Sequence, residues 1–264
     1  MRLPSDEELH TARARLLRQW DLREYSAVDA GYYWSIHYRH RLETILQTVS
    51  DLVPAGGSLL DIGCAQATAS ILLAERGFKV TAVEANLESI KYAKLRVEFG
   101  KISFICADAT RLSLREHFDA ILLGEVLEHV PRPGTLMRSC RDMLHRGGVV
   151  IITTPNGLSP HNWVLPSYDF KKMETPDREN LTSGLGGRET HLFCMRPSQL
   201  RNLVRSSGLV IERYGLLNSY LINPLGLHRL LPLPVAERLN RWFSQLPLLA
   251  PLTTMTQFLV ARKP

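Results

Sequence analysis

The sequence predicts an α/β fold: a doubly wound, seven-stranded, mostly parallel sheet covered by helices, with N-terminal helices and late insertions. Three observations carry this. Five continuous apolar runs alternate with segments of helical period between residues 58 and 153, the pattern of parallel strands buried on both faces. The first run, Ser58–Ile62, enters a turn of small residues, Gly63-Cys64-Ala65-Gln66-Ala67, that leads into a helix. Acidic residues, Glu84 and Asp108, then close the second and third runs, in register with Asp61 and Gly63. Right-handed crossovers between parallel strands make the doubly wound sheet the natural arrangement.

Taken in order, Ser5-Asp6-Glu7-Glu8 reads as a capping box opening a helix to about Trp20, with Leu9, Leu16 and Trp20 on one stripe. Tyr25–Gly31 reads as a connector, and a second helix spans about Trp34–Val53 before Pro54-Ala55-Gly56-Gly57 ends it. Strands are expected at Ser58–Ile62, Lys79–Glu84, Ile102–Cys106, Phe118–Leu123 and Gly148–Thr153. Helices are expected at about 66–76, 87–99 and 133–145, with a short element near 125–130. A helix at Pro197–Ser207, a strand at Leu209–Tyr214 and a final strand at Thr254–Ala261 complete the chain. Residues 1–54 thus form an N-terminal helical cap and residues 55–264 the main domain, with insertions about 156–190 and 216–252.

At 264 residues and 45% hydrophobic content, the chain buries a full core. No stretch reaches the roughly 20 apolar residues of a membrane span, and the charged N-terminus lacks a secretory core. Cys64, Cys106, Cys140 and Cys194 are widely spaced without a C-x-x-C pair, which fits reduced thiols in a cytoplasmic chain. Residues 132–264 hold 17 basic and 8 acidic groups, a bias that suits either a solvated face or an anionic partner.

The strand ends carry the chemistry. An acidic residue about 20 positions beyond a small-residue turn accepts hydrogen bonds from ribose hydroxyls, which is the place of Glu84. Asp108 suits an adenine amino group, although a carboxylate at a strand end equally caps a helix. In Glu125-Val126-Leu127-Glu128-His129, one helical turn brings Glu125, Glu128 and His129 to a single face. Two carboxylates and an imidazole suit a divalent ion, and His129, with an imidazole's ordinary pKa near ~6.5, suits a general base.

The order LLDIGCAQA, VTAVEAN, ICADAT, FDAILLGEVLEHV and GGVVIITTPN resembles a class I S-adenosylmethionine-dependent methyltransferase, over about residues 55–156. LVIERYG and TQFLVARKP resemble that family's ending, an antiparallel strand pair at the sheet edge. The pattern is most similar to the ubiquinone-biosynthesis-type O-methyltransferases. The resemblance implies a Rossmann-like sheet and S-adenosyl-L-methionine as cofactor. It places the methionine part at the Asp61–Ala67 loop, the ribose at Glu84 and the adenine at Asp108, with Gly63, Cys64, Ala65, Ala85, Ala109, Gly124 and Glu125 around them. Glu128 and His129 are then the catalytic candidates. Small-RNA 2′-O-methyltransferases share the Glu-x-x-Glu-His pattern with a later His, so Glu125, Glu128, His129 and His191 form a candidate metal set. One departure stands out: Ala65 and Ala67 occupy positions where the family has Gly, and Ala tolerates positive φ poorly.

The resemblance points to a hydroxyl acceptor on a small or lipid-like metabolite. An RNA 2′-hydroxyl is the second reading, and a catalytically inactive cofactor-binding partner protein is the third, motivated by the two alanines. Tyr25, Tyr32, Tyr33, Trp34 and Tyr38 suit an aromatic lid over the acceptor. Segment 216–252 mixes Leu, Trp242 and Phe243 with Arg229, Arg238 and Arg241, which suits peripheral membrane contact, a lid over an apolar substrate, or core packing.

Overall fold

The computed structural model describes residues 1–24, 33–162, 191–219 and 231–264. The Tyr25–Gly31 connector and Tyr32 lie outside these residues, as do residues 163–190 of the 156–190 insertion and residues 220–230 of the 216–252 insertion, Arg229 among them. Seven strands form one sheet: β1 (Ser58–Ile62), β2 (Lys79–Glu84), β3 (Lys101–Cys106), β4 (Phe118–Gly124), β5 (Leu144–Pro155), β6 (Val210–Ser219) and β7 (Thr254–Arg262). Their order is β3-β2-β1-β4-β5-β7-β6. The first five are parallel, and β7 runs antiparallel between β5 and β6. The order reverses between β1 and β4, and that switch point leaves a crevice at the strand C-termini.

Register brings the chemistry to one edge. Ile62 pairs with Val83 and Glu84 with Cys106, so β1, β2 and β3 release their chains side by side. Gly124 pairs with Thr153, which adds β4 and β5 to the same rim. Successive strand residues then point to opposite faces. Leu60, Ile62, Ile121, Leu123 and Ile152 meet α5 (Pro133–Met143) and α6 (Pro197–Ser206), whereas Leu59, Val80, Ala120, Leu122 and Ile151 meet α2 (Tyr33–Leu52) and α3 (Thr68–Glu75). The register slips between Phe118 and Ala120, which lets β5 begin at Leu144, four residues before its expected start.

The N-terminus departs from expectation. Ser5 N–H does donate to Glu8 Oε2 (2.8 Å), but the turn is a single 3₁₀ turn, Asp6–Glu8, that stops at Leu9. Thr11 Oγ1 then accepts from Ala14 N–H (3.1 Å) at the start of α1 (Ala12–Glu24). The buried stripe of α1 is Ala14, Leu17 and Asp21, while Leu16 and Trp20 are only half-buried. An aspartate faces inward because α4 (Leu87–Arg96) ends on a buried arginine. Arg96 and Asp21 are 0% and 1% exposed, with Nη2 and Oδ1 3.1 Å apart. Arg96 Nη1 donates to Gln66 O (2.6 Å) and Thr68 Oγ1 (3.0 Å), and Tyr92 OH donates to Asp21 Oδ2 (2.5 Å). One guanidinium thus joins the N-terminal cap to the loop that follows β1.

The late segment is corrected too. Leu216–Ser219 belong to β6, not to an insertion. Helices α7 (Leu233–Ser244) and α8 (Ala250–Thr253) follow, with Ala236, Asn240 and Ser244 buried and Leu239 and Phe243 half-buried. Outward stand Val235, Arg238, Trp242 (54% exposed), Leu248 (89% exposed), Leu249 and Leu252. Several basic residues of this half are engaged locally. Arg262 pairs with Glu212, Arg241 with Glu43, and Lys263 Nζ donates to Leu144 O (2.7 Å). No described helix is long and apolar enough to cross a membrane.

Removing one partner of a buried ion pair strands the other, typically at about 3–5 kcal/mol. Asp21→Ala is therefore expected to lower unfolding free energy by about that much in urea titration, whereas Tyr92→Phe, losing one hydrogen bond, lowers it by about 1 kcal/mol.

Candidate active site

The loop after β1 is bent back over β2 by its own backbone. Gly63 and Cys64 N–H both donate to Val83 O (2.8 and 3.0 Å), and Ala67 N–H returns to Cys64 O (2.7 Å). This path demands left-handed backbone at three positions: φ is +73° at Gly63, +48° at Ala65 and +58° at Ala67. Both alanines thus sit in the conformation their side chains resist. Glu84 helps to hold the first of them, because Oε2 accepts from Ala65 N–H (3.0 Å) while Oε1 accepts from Asn86 N–H (2.9 Å). Each carboxylate oxygen keeps a further lone pair for a ligand hydroxyl.

Asp61 lies beneath the loop, accepting from Ser70 Oγ (2.5 Å), and burial, with the Glu84 charge adding to it, pushes its carboxyl up to about 6. Burial also raises the Cys64 thiol well above its ordinary value, so this cysteine packs rather than reacts. Asp108 is exposed at the end of β3, where Oδ1 accepts from Thr110 N–H and Oγ1 (both 2.8 Å). It therefore caps the 3₁₀ turn Ala109–Arg111, and Oδ2 takes no hydrogen bond among the described residues. Ala85 follows Glu84 at the exposed rim, and Gly124 ends β4.

The second constellation is built differently from the single helical turn expected. Glu125 is not helical: its φ is +57°, and its N–H donates to Thr153 O (2.9 Å). Its carboxylate faces Arg41 of α2, 3.5 Å away, and Arg41 in turn lies against the ring of Tyr38 (5.3 Å). The short element is a 3₁₀ turn, Leu127–His129. Glu128 is fully buried, with Oε2 accepting from Thr154 Oγ1 (3.0 Å) and Oε1 taking no hydrogen bond among the described residues. Burial, and then the Glu125 charge, hold its carboxyl well above the usual range. Leu192 N–H donates to Glu128 O (2.8 Å), which draws His191 in until its ring is 4.7 Å from that of His129.

Ligand atoms of Glu128, His129 and His191 lie within 4.8 Å of one another. Glu125 is not part of that group, so the candidate metal set contracts to three residues. Sequence reasoning missed Arg41 and Thr154. Arg41 lies in no motif and Thr154 lies in GGVVIITTPN without a role assigned to it, so only the packing of α2 over the rim and the pairing of β4 with β5 reveal them.

Comparison with known proteins agrees with this geometry. Residues 33–214 match the family model described as a methyltransferase domain. A ubiquinone biosynthesis O-methyltransferase of Xylella fastidiosa is 35% identical over 206 residues, covering 74% of this chain and 80% of the relative. One from Nitrosospira multiformis is 31% identical over 164 residues, covering 60% of this chain and 64% of the relative. Among solved structures, the N-methyltransferase NodS of Bradyrhizobium japonicum with S-adenosyl-L-homocysteine superposes with a TM-score of 0.56 at 17% identity, covering 93% and 97% of the two chains. Magnesium protoporphyrin IX methyltransferase of Synechocystis gives 0.58 at 13% identity, with 96% of each chain covered. These two likenesses concern the fold.

The strain at the alanines has a measurable consequence. A non-glycine residue in left-handed backbone costs about 1–2 kcal/mol. Ala65 is half-buried, so Ala65→Gly is expected to raise unfolding free energy by about 1 kcal/mol. Ala67 is fully buried, and losing its methyl, at about 0.8 kcal/mol, offsets most of the relief. Ala67→Gly is therefore expected to be close to neutral in the same denaturation experiment.

Proposed function

Since the chain belongs to the class I S-adenosylmethionine-dependent methyltransferases, we propose that it methylates a hydroxyl of a small, lipid-like acceptor. The observation that carries this is the rim at the switch point, where Glu84, Asp108, the loop from Gly63 to Ala67, Glu128 and His129 all follow strands that end on one edge of the sheet. The residues fit the cofactor. Glu84 retains acceptor capacity for the ribose, and the Arg41 guanidinium offers a partner to the methionine carboxylate. A side chain at Gly63 would meet Val126 Cγ2 at 2.7 Å, so packing against Val126 and the positive φ both require glycine at that turn.

S-Adenosylmethionine supplies a methyl group already activated on a sulfonium, so position and orientation do most of what remains. His129 then accepts the acceptor's hydroxyl proton, and His191 packs edge-on against its ring to fix it. The lipid-like character rests on the relatives named above and on α8. Asn156 Nδ2, two residues beyond Thr154, donates to Pro251 O (2.9 Å), which ties the exposed apolar α7–α8 face to the acceptor side. A hydroxyl on a small metabolite accords with those relatives better than an RNA hydroxyl does, and better than an inactive partner protein.

Labelled cofactor with polyhydroxylated phenols bearing short or long isoprenoid tails tests this reading. Methyl transfer that rises with tail length is expected, and His129→Ala is expected to lower kcat about 10²–10⁴-fold. No calorimetric binding of S-adenosylhomocysteine would end it.

A second reading adds a divalent ion at Glu128, His129 and His191, favoured by the unengaged, buried Glu128 Oε1. Such an ion would polarise the acceptor hydroxyl. Activity is then expected to fall with chelator and return with manganese or zinc, and Glu128→Gln is expected to abolish stoichiometric ion binding in equilibrium dialysis. Full turnover of the metal-stripped protein would remove this reading and leave His129 as base.

A further inference from the structure

One cation near the cofactor rim is used by nothing described so far. Arg13, on the first turn of α1, lies over the ring of Trp20 with its guanidinium carbon 5.5 Å from the centroid. Its Nε donates to Ser89 Oγ (3.4 Å), while Nη1 is buried and makes no hydrogen bond among the described residues. Ser89 is in the first turn of α4, and Asn86 Oδ1 accepts from its backbone N–H (3.1 Å). Asn86 is also the residue whose own N–H holds Glu84 Oε1. Arg13 is thus delivered to the same end of β2 as Glu84, whose negative charge reaches it.

The two side chains are complementary toward one kind of ligand. A carboxylate only accepts hydrogen bonds and a guanidinium only donates them. A vicinal diol needs both, since each hydroxyl brings a hydrogen and an oxygen with lone pairs. A buried arginine donor without a partner is unfavourable in the empty fold, and such an atom beside an acceptor-only carboxylate marks a place that a ligand completes. We propose that Arg13 Nη1 donates to the ribose hydroxyl oxygens from the side opposite Glu84, so that the N-terminal cap forms a wall of the cofactor site. This inference rests on the methyltransferase reading. Residues 13, 17 and 21 follow one another along a single helix face, so the buried Asp21–Arg96 pair that anchors α1 also sets the position of Arg13.

Calorimetry with S-adenosylhomocysteine, 5′-methylthioadenosine and the 2′,3′-dideoxy analogue of the latter tests it. Arg13→Met keeps the stem over Trp20 and removes the donors. It is expected to weaken S-adenosylhomocysteine and methylthioadenosine alike, by about tenfold or more for a hydrogen bond from a charged donor. Arg41→Met is expected to weaken S-adenosylhomocysteine alone. Removing the two ribose hydroxyls from the ligand should cost the wild-type protein more than the Arg13→Met protein, a coupling that a merely structural residue would not produce. Equal losses in both proteins, or undiminished binding of methylthioadenosine by the variant, would overturn the proposal. If Arg13→Met melts early, Arg13→Gln, whose amide is too short to reach, replaces it with the same expected outcomes. A wild-type protein that binds none of the adenosine ligands would instead overturn the methyltransferase reading itself.

Discussion

The buried pair of Asp21 and Arg96 is the constraint on which the active-site rim depends. A guanidinium removed from water is tolerable only when its charge is answered, and here its two Nη groups are answered by three separate parts of the chain, while Nε makes no hydrogen bond among the described residues. Asp21 comes from the cap, Gln66 from the loop after β1, and Thr68 from the start of α3. Each is fixed relative to the others through a single planar group, which has no rotational slack of the kind an ammonium would have. The burial of Asp21 works against its ionised form, with Arg96 and Tyr92 opposing that shift. Such a pair gives little net stability compared with apolar packing, but it penalises every arrangement in which one partner moves without the other.

Strain is gathered where that clamp can hold it. Left-handed backbone at Gly63, Ala65, Ala67 and Glu125 follows β1 and β4, the two strands that flank the reversal of strand order. Specific hydrogen bonds enforce two of these positions: Glu84 takes the N–H of Ala65, and Thr153 takes that of Glu125. Local strain of this kind persists only where surrounding structure over-determines it. The same bonds leave the carboxylate of Glu84 at the C-terminal rim of the sheet and that of Glu125 facing Arg41.

Much of this was legible in the sequence, for identifiable reasons. Strands β1 and β2 were bounded correctly because a continuous apolar run stops at a glycine in one case and at an acidic residue in the other. The inward face of helix α1 is not legible because periodicity treats Asp21 as a polar surface residue, and its partner is 75 positions away with no pattern to announce it. The spacing of Glu125–His129 predicts a helical turn because spacing alone does not show that Glu125 sits outside it, with positive φ. His191 was reachable only through resemblance, and its approach to His129 depends on the backbone bond from Leu192 to Glu128. The basic character of the C-terminal half suggested an anionic partner, whereas several of those cations pin strand ends and carbonyls of the chain itself.

The alanines at 65 and 67 also bear on how such proteins are recognised. A fingerprint written in glycines is a statement about backbone angles in the notation of residue names. In this loop the acceptors at Val83 and Glu84 hold the N–H groups of Gly63, Cys64 and Ala65, and Cys64 O holds that of Ala67, so alanine takes up left-handed angles at 65 and 67. A search written only in glycines therefore passes over a loop that takes the same left-handed turns with a methyl attached.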